Sequence, residues 1–379
     1  MSNPIIDELH RYITELVEKD GSDLHIKTQS DVRIRVRGDV LPLGTEVMDE
    51  EKVTEMARHL SGNNFEKFER DQEYDTVYIY NDEYRFRVNL YYHLGGIAIA
   101  LRLIPYEIKT MEALNLPKEL MQLTDLNRGL VLVTGTTGSG KSTTLATVIE
   151  EINKKHRKHV ITIEDPVEFV HTDKIGIIEQ RGIGQHTKTF SDALRAAMRE
   201  DPDIIVVGEM RDVETVESAL QAVNSGHLVF STLHTLDARE TIDRLIAMFP
   251  AREQNRVRMH LASNLQAVIS QRLLRTKEDK LVPAVEMMFR SPRIEGLIRE
   301  LRDDEIPDAM EDERNIFGSK TFNMALFDLC LNDTISEEEA FKYATSPSDL
   351  KLMLTKSSAY NEKLRRESGE DIDFAEIKE

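Results

Sequence analysis

Cysteine is almost missing from this chain of 379 residues: Cys330 stands alone, so neither a disulfide framework nor a cysteine-held zinc site can form within it. No run of about eighteen uncharged apolar residues occurs, so no membrane-spanning helix is expected. The opening MSNPIIDELHRYI lacks the basic-then-apolar order of a secretion signal. These absences predict a cytosolic chain, with Cys330 a small buried hydrophobe in the helical stretch ALFDLCL. Positive charge is also scarce: 49 Lys and Arg face 68 Asp and Glu, a formal net charge of −19. Nucleic acid requires a basic footprint, so no nucleic-acid partner is expected. The basic run NKKHRKH at 153–159 reads as a helix end, where cations are favoured.

What the chain does have is VTGTTGSGKSTTLATVIEEI, Val133 to Ile152. An apolar strand ends, a glycine-rich loop follows, and a helix begins, which is the setting that G-x-x-x-x-G-K-[ST] requires. Gly135, Thr136, Thr137, Gly138, Ser139, Gly140, Lys141, Ser142 and Thr143 form the expected ATP-binding stretch. Its glycines let successive N–H groups turn inward on a polyphosphate, and the helix adds its positive end. Lys141 is placed to reach the β- and γ-phosphates, and Ser142 to bind Mg²⁺.

Hydrolysis needs more than a cradle, and two strand ends supply carboxylates. HVITIEDPVEF sets Glu164 just past an apolar run, and PDIIVVGEMRD sets Glu209 one glycine past another. A third run, GHLVFSTLHT, brings Thr232 and His234 to its end, while His227 at its start faces the other way. In a parallel sheet such ends line one rim beside the loop. One carboxylate can aim a water and the other support Mg²⁺.

The length calls for two or three domains. Residues 1–105 read as an α/β unit, with a helix in IIDELHRYITELVEK and strands in VRIRVRGDV and DTVYIYNDEYRFRVNLYYHLGGIAIALRLI. Residues 106–125 read as a linker with a short helix, and 126–290 as a doubly wound parallel sheet. REQNRVRMHLASNLQAVISQRLL reads as a helix and DDEIPDAMEDERNIFGS as an exposed loop. Residues 291–356 read as a helical C-terminal region, with Ser336 opening a helix, and 357–379 as a disordered acidic tail.

The segments GTTGSGKST, TIEDPVEFVH, AMREDPDIIVVGEMRD and GHLVFSTLHTLDARETIDRLIAMFP resemble the Walker A, Asp-box, Walker B and His-box motifs of the type II/IV secretion ATPase superfamily. Within it the likeness is to the type IV pilus retraction ATPases. It runs from GSDLHI through RFRVNL and GGIAIALRLIP to QAVISQRLL and VPAVEMMF. The resemblance implies an α/β fold: an N-terminal PAS-like α+β domain followed by a RecA-like P-loop ATPase domain with a helical C-terminal region. It implies a homo-hexameric motor using ATP and Mg²⁺, peripheral to the membrane, at the cytoplasmic face of the inner membrane. A platform protein of the pilus base is its implied partner, with a paralogous retraction ATPase as another.

Carried over residue by residue, Glu164 matches the proposed general base, Glu209 the Walker B acid and Mg²⁺ partner, and His234 the His-box histidine. Arg85, Arg87 and Arg102 match positions from which such ATPases present arginines to a nucleotide. Alternating arginines on a strand otherwise make a solvated face. Assembly and type II secretion ATPases carry a four-cysteine zinc module that this chain lacks, which points to retraction. RIEGLIRE, Arg293 to Glu300, resembles an altered form of the group's C-terminal retraction motif, so Leu297 and Ile298 are expected either to convey the stroke or to be core. An accessory retraction ATPase, another ATPase of the superfamily, and a regulatory nucleotide-binding protein docked on the platform are the alternatives.

Overall fold

The computed structural model describes residues 3–36, 38–81, 83–104, 108–357 and 360. The start of the segment read as a linker, 105–107, and nearly all of the expected acidic tail lie outside them. The chain divides into two compact units, Met1–Glu107 with Glu168–Val170, and Ile108–Val167 with His171–Glu379.

The first unit is built on a six-stranded sheet. Its strands are β1 (Gly21–Lys27), β2 (Asp31–Val36), β3 (Asp39–Val47), β4 (Glu73–Tyr80), β5 (Tyr84–His93) and β6 (Gly96–Ile104), in the order β3-β2-β1-β6-β5-β4. Every pairing is antiparallel. Strand alternation sends Phe86, Val88 and Leu90 inward and leaves Arg85, Arg87 and Asn89 on the other face. The Pro4–Glu18 helix, capped by Asn3, meets the inward face with Leu9, Ile13 and Leu16, and the Glu50–Ser61 helix does so with Val53, Met56 and Leu60.

In the second unit a seven-stranded sheet runs in the order β13-β12-β7-β11-β10-β8-β9. Its strands are β7 (Gly129–Thr134), β8 (His159–Glu164), β9 (Ile177–Gly182), β10 (Ile204–Val207), β11 (Leu228–Leu233), β12 (Leu265–Arg275) and β13 (Leu281–Phe289). All neighbours are parallel except β12 and β13. Successive residues of β7 feed two cores: Leu130 and Leu132 face one, Val131 and Val133 the other. A sheet covered on both sides needs such unbroken apolar strands.

Three expectations change here. Residues 265–275 are not a continuation of the preceding helix: it stops at Asn264, and β12 then runs parallel to β7. The apolar run LQAVIS carries its buried residues on both faces of a sheet rather than on one helical stripe. The acidic segment is not a loop, because Ile306, Ala309 and Met310 have helical spacing and are buried on the Ile306–Asp312 helix. From Ile108 onward the segment read as a linker belongs to the second unit, where Met111, Leu116, Leu120 and Leu123 pack against the sheet. Leu297 and Ile298, on the Pro292–Arg299 helix, are buried in the same core as Leu130, Ile161 and Leu245.

Glu286 on β13 is a polar member of this interior. Its carboxylate accepts the N–H of Ala238 at 2.9 Å and of Phe322 at 3.2 Å, the first residues of two helices. Burial pushes its carboxyl up to about 7, and neighbouring Asp237 adds to the effect.

Candidate nucleotide site

The loop between β7 and the Lys141–Lys155 helix is shaped by its glycines. Gly138 has φ +80° and Gly140 has φ +90°, in the left-handed region that side chains resist. A Cβ on Gly140 would come within 2.9 Å of Gln271 Nε2. Gly140 offers no side-chain cap to the helix it precedes, so the first N–H groups of that helix stay available to an anion. Ser139 Oγ is buried without a hydrogen-bond partner in the same loop. Lys141 Nζ donates to Gly135 O at 2.8 Å and Thr136 O at 3.0 Å, which holds the cation against the cradle. These features fit a polyphosphate.

The rim beside the loop is knitted strand to strand. Gly208 N donates to Ile163 O at 2.7 Å, joining the ends of β10 and β8. Thr232 Oγ1 donates to Gly208 O at 2.6 Å and Met210 N to Thr232 O at 3.2 Å, joining β11 to β10. A Cβ on Gly208 would stand 3.3 Å from Glu164 Cα, so glycine permits that approach. With strands about 4.8 Å apart, β10 and Glu209 stand two places from β7, and β8 and Glu164 three.

Glu164, at the end of β8, accepts from Thr162 Oγ1 at 2.6 Å and from Gln180 Nε2 at 3.1 Å, both at Oε1. Glu209 is paired with Arg211, and its Oε2 lies 3.4 Å from His234 Nε2. The predicted rim residues Glu209 and His234 thus meet directly. His227 bonds instead to Ser225 and the Ala222 carbonyl, at the opposite end of β11.

Arg85, Arg87 and Arg102 lie in the first unit. Arg87 and Arg102 are direct cross-strand partners on β5 and β6, a like-charged pairing that is unfavourable on its own. Asp75 lies 3.8 Å from Arg87, and Asp23 takes Arg102 Nε at 2.7 Å. Arg85 Nε is buried and finds no hydrogen-bond partner.

Two polar residues escaped the motif reading. Gln271 on β12 accepts from Thr144 Oγ1 at 2.7 Å, pinning the P-loop helix to the sheet. Gln180 on β9 reaches Glu164. Gln180 stands in no recognisable motif, and Gln271 falls in a run whose spacing predicts a helix.

A glycine-shaped phosphate cradle on a parallel sheet, with two glutamates on the rim it shares, defines a P-loop ATPase. The type II/IV secretion system protein family matches residues 1–300, and this chain belongs to it. It is 42% identical over 340 residues to the type IV pilus retraction ATPase PilT of Pseudomonas aeruginosa, covering 88% of this chain and 98% of that one. The type IV pilus ATPase PilU of the same organism is 35% identical over 349 residues, 92% of this chain and 91% of that one. The crystal structure of the pilus retraction motor PilT with bound ADP superposes with a TM-score of 0.86 at 39% identity, covering 91% of this chain and 99% of that one. Among the described residues no helix is long and apolar enough to cross a membrane.

Proposed function

We propose that this chain is an ATP-driven motor that retracts type IV pili, working as a homo-hexamer on the cytoplasmic face of the inner membrane against the pilus platform protein. The observation that carries the reading is the pair Glu164 and Glu209 on the rim beside an intact P-loop, in a chain whose match covers 98% of the length of the Pseudomonas aeruginosa PilT.

Placement and the family resemblance support the following roles. Lys141 and the N–H groups of the loop hold the β- and γ-phosphates of ATP. Ser142 and Glu209 would hold Mg²⁺, which when bound neutralises charge between those phosphates. Glu164 takes a proton from the attacking water as its oxygen bonds to the γ-phosphorus. The bond to the β,γ-bridging oxygen breaks, leaving ADP and phosphate. His234 and Arg211 fix the Glu209 carboxylate. One or more of Arg85, Arg87 and Arg102 of a neighbouring subunit supply positive charge to the phosphoryl group being transferred, as in other trans-activated phosphoryl transfers.

Deleting the gene and counting surface pili tests the reading: excess pili that do not retract support it, and bald cells point to assembly instead. The second reading, an accessory role beside a principal motor, is supported by the altered RIEGLIRE motif. Unchanged piliation in the deletion strain, with weakened retraction under load, would select that role.

A further inference from the structure

Glu164 sits at the end of β8, and its carboxylate is held by a chain of side chains that leads back to the P-loop helix. Gln180 belongs to the neighbouring strand β9, in direct register with Thr162. Thr162 and Glu164 are two residues apart on β8, so they share a face of the sheet. Both Thr162 Oγ1, at 2.6 Å, and Gln180 Nε2, at 3.1 Å, donate to Glu164 Oε1.

The orientation of the Gln180 amide is dictated by its other end. Its Oε1 accepts the backbone N–H of His171 at 2.8 Å. Turning the amide over would set NH₂ against that N–H and a carbonyl oxygen against the Glu164 carboxylate, losing both bonds. The His171 ring is itself buried, with Nδ1 3.4 Å from Glu150 Oε2 on the P-loop helix, and Glu150 is further paired with Lys174. A continuous path therefore runs Glu150, His171, Gln180, Glu164, and all four residues lie in the second unit.

We infer that Gln180 is the positioning residue of the hydrolytic reaction: it fixes the carboxylate of Glu164 in one rotamer and ties that orientation, through His171, to the helix that begins at the nucleotide's phosphates. The inference rests on Glu164 being the general base. Gln180 stands four strands from β7 in the sheet, about 19 Å at the usual strand spacing, so it cannot touch the phosphates held at the loop. Its effect must appear in the chemical step and not in nucleotide binding.

Two variants of the full-length protein separate orientation from packing. Gln180→Met keeps the length and removes both the donor to Glu164 and the acceptor for His171 N–H. Gln180→Glu keeps the shape and the acceptor for His171 N–H, and places a negative charge against Glu164. Gln180→Met should lower kcat about tenfold or more, since a hydrogen bond to a charged group is lost, with KM and ADP affinity unchanged. Gln180→Glu should lower kcat at least as far and move the acid limb of the kcat–pH profile to higher pH, because a like charge disfavours the ionised base. A merely structural role would leave that limb in place.

Combining Gln180→Met with Glu164→Gln should add nothing to the loss seen in Glu164→Gln alone, since the residues act as a unit. Wild-type kcat in Gln180→Met, an unmoved acid limb in Gln180→Glu, or a double variant whose losses multiply would each overturn the inference. Near-normal kcat in Glu164→Gln alone would instead remove the assignment of the base on which it rests.

Discussion

In the second unit the candidate catalytic groups stand at the carboxyl ends of parallel strands, whereas in the first the arginines alternate along strand faces. The difference decides what each can do alone. At a strand end the backbone sets position: Gly208 N bonded to Ile163 O, and Thr232 Oγ1 bonded to Gly208 O, bring Glu164, Glu209 and His234 to one rim. On a strand face position comes from the sheet, but purpose comes from whatever meets it. Arg102 and Arg87 are partnered by Asp23 and Asp75 within their own unit, as a solvated face would be. The second unit holds the candidate nucleotide site, and the first holds arginines of which Arg87 and Arg102 are paired within their own unit.

The largest effect expected is from Lys141→Ala. It removes the loop's one side-chain cation, so ATP hydrolysis should vanish and nucleotide affinity should fall, read by phosphate release and by a fluorescent nucleotide titration. Retained turnover would show that the loop of the second unit is not where the phosphates are held for hydrolysis.

Next is the helix of RIEGLIRE, which the core of the second unit claims. Leu297→Ala and Ile298→Ala should each cost about 2–5 kcal/mol by removing large buried side chains, with melting temperature and ATPase activity falling together. Unchanged melting with non-retracting pili would return these residues to force transmission.

The first unit is tested by mixing. If its arginines act on a neighbour's nucleotide, specific ATPase activity should rise with protein concentration near the assembly threshold. A Lys141→Ala chain mixed with an Arg85, Arg87 and Arg102 triple-alanine chain should then exceed the sum of the two. A linear rate from a monodisperse monomer would leave the face merely solvated.

Smaller again is a pH effect from Glu286. Its carboxyl is raised from the ordinary 4.5 to about 7 by burial, so the native state keeps a proton that the unfolded chain releases. This contribution is full below about pH 4.5 and is lost as pH rises through 7, a change of about 3 kcal/mol. Denaturant unfolding between pH 5 and 8 should show the wild type losing more stability than Glu286→Gln. Parallel slopes would contradict the burial argument.

Much of this was legible in the sequence because strand ends announce themselves. An apolar run followed by Gly-Lys-Ser, Glu-Asp-Pro or Gly-Glu needs no tertiary knowledge to be placed, and the four strands read from such runs form one parallel rim. The parts that stayed hidden depend on contacts between distant segments. Gln180 looks like any polar residue on an edge strand until His171 and Glu164 are seen on either side of its amide. Residues 265–275 follow a helix without a break in their apolar character, and only pairing with β7 makes them a strand. The acidic segment carries enough charge to look like a loop, yet Ile306, Ala309 and Met310 tie it into the core.

The division of work proposed for the strand-end glutamates makes Glu164 the base at the nucleotide. Steady-state turnover of Glu164→Gln, measured beside its ATP affinity, tests it most directly. Turnover should fall by roughly a hundredfold or more, with ATP still bound at wild-type affinity. Near-normal turnover would contradict it and pass the role of base to Glu209.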